Sequence, residues 1–185
     1  MRQRTGWLLA GGIVSLSIFG RLLPHPPNFT PLGGAAVFGG ANLPRPWNYL
    51  APIIVLALTD LFLGWHQTMI FVYGSFLVAV WLGERLLSQG ASRAKIAAVS
   101  LANSTIFFLV TNFGVWYSTT LYPKTMAGLY QSYLMGLPFW RATILADLIF
   151  TFGFFALYRL MHRSHFVTKW ERWMIKSWQG GVWQK

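Results

Sequence analysis

Between residues 7 and 161 the sequence passes through six apolar runs, and their length and spacing constrain the fold more than any other feature. They cover residues 7–23, 31–41, 47–64, 68–87, 95–116 and 139–161. Crossing a bilayer takes about 20 apolar residues in a helix, so the runs read as spans, with the second a short one. Charged residues make up 10% of the chain, against about 25% in an ordinary soluble domain. The expected fold is therefore an all-α integral membrane protein, with one six-helix transmembrane domain over residues 1–162 and a tail over 163–185. Arg2 and Arg4 ahead of the first run resemble the start of a signal peptide. No small-x-small cleavage site follows, so that run is read as a retained helix.

The first break is LLPHPPNFTPLGGAAVFGG, residues 22–40. Pro24, Pro26 and Pro27 exclude regular helix there, because proline lacks the amide donor and pushes its predecessor toward extended geometry. Thr30-Pro31 reads as N-cap and first helical residue of a new run. That run is built from Gly33, Gly34, Ala35, Ala36, Gly39, Gly40 and Ala41, a thin helix that lets neighbouring backbones approach closely.

The basic residues set an orientation. With the N-terminus in the cytoplasm and six crossings, twelve Lys and Arg fall on the inner side, and only Arg21, Lys124 and Arg141 on the outer. This is a strong positive-inside bias, and it requires the short second helix to cross. Residues 117–138 then form an outer loop whose middle, 124–134, lies as a helix across a pocket mouth. The basic, Trp-rich tail suits a C-terminal helix lying in an anionic headgroup layer. The net charge of +11 is spent on this topology, and nucleic acid is not expected as a partner.

Ionisable groups inside membrane helices are costly, so they are functional candidates. On this topology most polar groups fall in the outer half: Arg21, His25, Asn28, Thr30, Asp60, His66, Tyr73, Asn112, Trp116, Arg141 and Asp147. That asymmetry predicts an outward-facing binding cavity, and the substrate-binding residues chosen from it are His25, Asn28, Asp60, Tyr73, Asn112, Trp116 and Arg141. Asp60 either contacts the ligand or pairs with Arg21 or Arg141, since a buried carboxylate needs a partner. Asp147 lies six residues past Arg141, off its helical face, and is expected at a helix–helix contact. Asn103 and Asn112 suit interhelical hydrogen bonds. His162 and His165 do not make a metal site.

Catalytic signatures are missing: there is no phosphate-binding glycine loop with lysine, no HExxH and no GxSxG. Four carboxylates leave little for acid–base work, and with no cysteine, thiolate chemistry is excluded. An enzyme is not expected. Gly11 and Ser15, four apart on the first helix, form a small face suited to docking a membrane partner.

The blocks RLLPHPPNFTPLG from Arg21, TDLFLG from Thr59, VTNFGVW from Val110, YPKT from Tyr122 and PFWR from Pro138, with Asp147 beyond, resemble a family of small bacterial membrane proteins. That family is similar to the substrate-binding S components of energy-coupling-factor vitamin transporters and to solitary cobalamin-transporter-like proteins. The resemblance implies a six-helix S-component-like bundle in the bacterial inner membrane, both termini cytoplasmic. It also implies an outward pocket at His25, Asn28, Asp60, Asn112, Trp116 and Arg141, and an energising partner docked on the first helix. The implied substrate is a small organic molecule, a vitamin or a corrinoid. The cobalamin-handling relatives use a cysteine as cobalt ligand, and this chain has none; His25 or His66 would have to serve as a neutral imidazole. The rival expectation is an accessory or scaffold subunit of a larger membrane complex holding pigment or quinone, which ten tryptophans and fifteen phenylalanines would suit.

Overall fold

A computed structural model describes residues 2–163, with side chains described from 11 to 161. The described chain is all-helical, in the order α1 (Arg2–Leu22), α2 (Leu32–Asn42), α3 (Trp47–Leu63), α4 (Met69–Leu86), α5 (Arg93–Ser118) and α6 (Met126–Arg163). Three of these are long and apolar enough to cross a membrane, over Met69–Leu86, Arg93–Ser118 and Met126–Met161. Gly11–Leu22 and Trp47–Leu63 are shorter apolar helices. The expected tail helix and His165 lie outside the described residues.

The bundle is organised around α2, which packs on every other helix. Its residues Leu32 to Gly40 are all buried. A helix surrounded on all sides has no room for large side chains, and α2 has few. A Cβ on Gly40 would stand 2.9 Å from the carbonyl carbon of Val80 on α4. One on Gly83 of α4 would stand 2.9 Å from that of Val37 on α2. The two helices thus cross backbone to backbone, each through the other's glycine. On the α6 side, a Cβ on Gly34 would meet the Thr151 amide nitrogen at 2.7 Å. Below that crossing Phe38 fits among Phe154, Phe155 and Tyr158, with centroids 5.1–6.0 Å apart.

Polarity is distributed as in a membrane protein. Large apolar side chains face outward, among them Ile54, Leu58, Leu61 and Phe62 along α3 and Leu145, Ile149, Leu157 and Leu160 along α6. Asn48, Thr59, Asp60, Ser100, Asn103, Ser104, Asp147 and Thr151 are buried inside. A soluble protein reverses this pattern.

Two local expectations are corrected. Thr30 does not cap α2: Pro31 occupies that position, no side chain caps it, and the Pro31 carbonyl accepts the Ala35 amide at 2.9 Å. Residues 126–138 are not a lid across a pocket. They are the first turns of α6, which continues through Pro138. Proline removes a single donor, and packing on α5 outweighs that loss. Ser132 donates to the Asn112 carbonyl (2.8 Å), Tyr133 to that of Leu109 (3.0 Å), and Trp140 stacks on Phe108 at 5.3 Å.

A polar cavity above the short central helix

The last turn of α1 carries Arg21, whose guanidinium meets Asp60 of α3 at 2.7 Å and also donates to Thr59. Asp60 is 1% exposed, and Tyr73 of α4 donates to its other oxygen at 2.9 Å. This ion pair fastens α1, α3 and α4 together. The proline break follows. Pro26 accepts the Phe29 amide at 3.0 Å, and Asn28 takes φ 61°, giving a type II turn with Pro27 at its second position. Asparagine tolerates that left-handed conformation better than most residues. Phe29 then rests on Phe150 of α6 (5.8 Å), so the break is folded against the bundle.

Beneath this turn is a cavity of about 310 Å³ that every helix helps to line. Arg21 comes from α1, and His25, Asn28 and Thr30 come from the break. α2 supplies Leu32 and Gly33; Leu63 and His66 come from the end of α3 and the turn after it. Each remaining helix gives two residues one turn apart: Val72 and Phe76 on α4, Asn103 and Phe107 on α5, Thr143 and Asp147 on α6. The lining is graded. His25, Asn28 and His66 at the mouth are exposed, whereas Phe76, Asn103, Thr143 and Asp147 are buried.

The floor centres on Asp147, 2% exposed. Asn103 (2.8 Å) and Ser104 (2.7 Å) both donate to its Oδ2. A Cβ on Gly33 would collide with Oδ1, so glycine at that position is what makes room for the carboxylate. At the mouth, His25 places Nδ1 2.8 Å from the Pro26 carbonyl, and His66 places Nδ1 2.8 Å from the Thr68 hydroxyl.

Of the residues chosen from sequence, His25 and Asn28 line the cavity. Asp60 and Tyr73 stand behind it, holding Arg21 in place, so the Arg21 partnership is the one Asp60 adopts. Asn112, Trp116 and Arg141 are not in the lining. Asn112 donates to the Phe108 carbonyl of its own helix (2.8 Å) and borders Gly136. Trp116 donates to the Pro123 carbonyl (2.9 Å), and Lys124 donates to the Trp116 and Tyr117 carbonyls at the end of α5 and to that of Thr119 just beyond it (2.6 Å). Both knit the α5–α6 turn. Arg141 is exposed. Asp147 and Asn103 do form the helix–helix contact expected of them, and they also form the cavity floor. The signal for that was present: Thr143 and Asp147 are four apart inside the longest apolar run, as are Asn103 and Phe107 in the fifth.

Fold and cavity together define an all-helical, membrane-type bundle with a polar hollow at one end. Residues 1–170 match the model of DUF6580, a family of unknown function, and the chain belongs to that family. No curated protein and no solved structure matches it.

Proposed function

We propose that this chain is a substrate-binding membrane transport protein of the S-component type, which captures a small organic molecule in the cavity between the proline turn and Asp147. The carrying observation is the cavity itself, about 310 Å³, lined from all six helices and passing from exposed polar residues to a buried polar floor. Ligand sites have this character: concave, mostly apolar, with a few convergent polar groups. The volume lies at the small end of such sites, roughly 300–1,000 Å³, and favours a ligand smaller than a corrinoid.

The charge distribution supports a mouth facing away from the cytoplasm. Arg45 pairs with Glu84 (2.7 Å), and Arg159 donates to the Ala91 carbonyl, so the α2–α3 and α4–α5 loops and the far end of α6 share one end of the bundle. Arg85, Arg93 and Lys95 belong to that end, and the cavity lies at the other. By the positive-inside rule the Arg-rich end is cytoplasmic. Transport would proceed by capture, then reorientation of the bundle. An energising partner would dock on α1, where Gly11 and Ser15 are exposed and the space beside Gly11 is open.

Native mass spectrometry of the protein extracted from membranes in mild detergent tests this reading. The expected result is a retained small molecule, lost in Val72→Phe, which fills the cavity from α4, with unchanged melting. A wild-type protein that retains no small molecule and co-purifies instead with a fixed-stoichiometry partner would transfer the assignment to an accessory subunit.

A further inference from the structure

Asp147 is a buried carboxyl group with no cationic partner among the described residues. Of the charged groups that line the cavity, Arg21 is already matched by Asp60 at 2.7 Å. Among the described residues, no Lys, Arg or His lies within ion-pair distance of Asp147, which receives hydrogen bonds only from the neutral donors Asn103 and Ser104. Both fall on Oδ2. A carboxylate buried without a cation is strongly disfavoured, and the deficit is removed only by a proton or by a positive charge supplied from elsewhere. The elsewhere is at hand, because Asp147 is part of the cavity wall. One helical turn above the Asn103 level, Phe107 lines the same cavity and packs on Phe76 at 5.5 Å, interplanar angle 57°. A buried carboxyl group and aromatic rings lining one hollow form a combination that selects organic cations, the rings attracting the charge through their quadrupoles.

Building on the transport reading, we infer that the cavity selects an organic cation, an amine or a quaternary ammonium compound, which binds with its positive nitrogen against Asp147 and beside the packed rings of Phe76 and Phe107. The polar mouth at His25, Asn28 and His66 then contacts the neutral remainder of the molecule. Arg21 adds no net repulsion, since Asp60 cancels it.

The test uses two pairs of probes that differ in charge and little in shape: choline with 3,3-dimethyl-1-butanol, and benzylamine with benzyl alcohol. Each is titrated by calorimetry into the full-length protein in detergent, with benzoate as an anionic control. At least one cation is expected to bind ten-fold or more tighter than its neutral isostere, and Asp147→Asn should weaken that cation at least ten-fold while leaving the isostere unchanged. Should Asp147→Asn fail to fold, Phe107→Leu decides: at least three-fold weaker cation binding with unaltered isostere binding supports the inference, and unaltered cation binding overturns it. Equal binding of cation and isostere, failure of both cations to bind, or undiminished cation binding in Asp147→Asn overturns it too. A neutral or anionic molecule retained from the membrane would overturn the cation inference alone. An empty cavity that also takes up none of the five probes would remove the transport reading with it.

Discussion

Replacing Gly83 with alanine probes the contact on which the bundle is centred. A Cβ at that position would lie 2.9 Å from the Val37 carbonyl carbon and 3.1 Å from Val37 Cα, and both are backbone atoms that cannot rotate away. Carbon atoms rest at about 3.5–4.0 Å, and the Val37 carbonyl oxygen stands nearer still, so α2 and α4 must part by at least roughly 0.5–1 Å. A gap of that size forfeits about a quarter to a half of the dispersion at each affected contact. If some 40 atom pairs at about 0.15 kcal/mol each span the crossing, the loss is about 1.5–3 kcal/mol. The neighbours displaced around α2 add a similar overpacking cost, of order 1–3 kcal/mol. Alanine regains about 1 kcal/mol over glycine in helix propensity. The net expectation is a destabilisation of about 1.5–5 kcal/mol, which at roughly 2–4 °C per kcal/mol lowers the melting temperature by about 3–20 °C.

The assay is tryptophan-fluorescence melting of the detergent-solubilised protein, with Gly153→Ala as control. Gly153 also lies within a helix, but a Cβ there would meet nothing within 4 Å, so alanine should be neutral or slightly stabilising. Gly40→Ala mirrors Gly83→Ala, since its Cβ would stand 2.9 Å from the Val80 carbonyl carbon and 3.0 Å from the Glu84 amide nitrogen. The double variant should cost less than the sum of the singles, because the first substitution already separates the helices. If Gly83→Ala melts at or above wild type, as Gly153→Ala should, the backbone-to-backbone crossing is wrong.

Asp60→Asn leaves Arg21 without its partner and should cost about 3–5 kcal/mol, while Arg21→Met with Asp60→Leu should restore part of that loss. A melting temperature unmoved by Asp60→Asn would mean that the ion pair does not hold α1 and α3 together. Tyr73→Phe should cost about 1 kcal/mol, the value of one hydrogen bond; a loss as large as that of Asp60→Asn would assign the tyrosine a further role. Asn28→Gly should be neutral in melting and Asn28→Val should cost about 1–2 kcal/mol, because a β-branched residue resists positive φ; equal stabilities would exclude the type II turn. Arg141→Ala and Trp116→Phe should leave retention of a cavity ligand intact in native mass spectra, since neither side chain lines the hollow, and loss of the ligand in either folded variant would move the site toward the α5–α6 turn.

What the sequence made legible was whatever local chemistry decides. Prolines and small residues are unambiguous, so the break at 24–31 and the slender helix after it could be read directly. The ends of the apolar runs placed α3 and α5 to within two residues. Pro138 misled because its local cost is real, and only the partner helix, through Ser132, Tyr133 and Trp140, shows why it is overridden. The site was legible at its mouth but not at its floor. Hydropathy assigns a residue a depth along its helix, and His25 and Asn28 follow from depth alone. Asn103 lies nine residues, about 14 Å, along α5 from Asn112, so the floor was missed in depth as well as in helix rotation, and tertiary packing sets both. Asp60 and Asp147 illustrate the same limit: both are buried carboxylates in apolar helices, yet one meets an arginine and the other meets neutral donors.

The cavity follows from the shortness of α2. Eleven residues at 1.5 Å each make a rod of about 16 Å, roughly half the thickness of a bilayer's hydrocarbon core. The helices around it are longer and continue past its first turn, so they enclose a space that the central helix does not fill. The proline turn covers that space only in part, held to its rim by Phe29 on Phe150 and by Arg21 on Asp60. What remains is bounded below by the first glycine of α2. Gly33 therefore has two consequences at once: it admits Asp147 against the α2 backbone, and it places no side chain between that carboxylate and the hollow. Alanine at 33 would push directly against the Asp147 oxygen. A loss of cation binding larger than the loss of stability would mark the carboxylate's placement, and not merely the helix contact, as what that glycine provides.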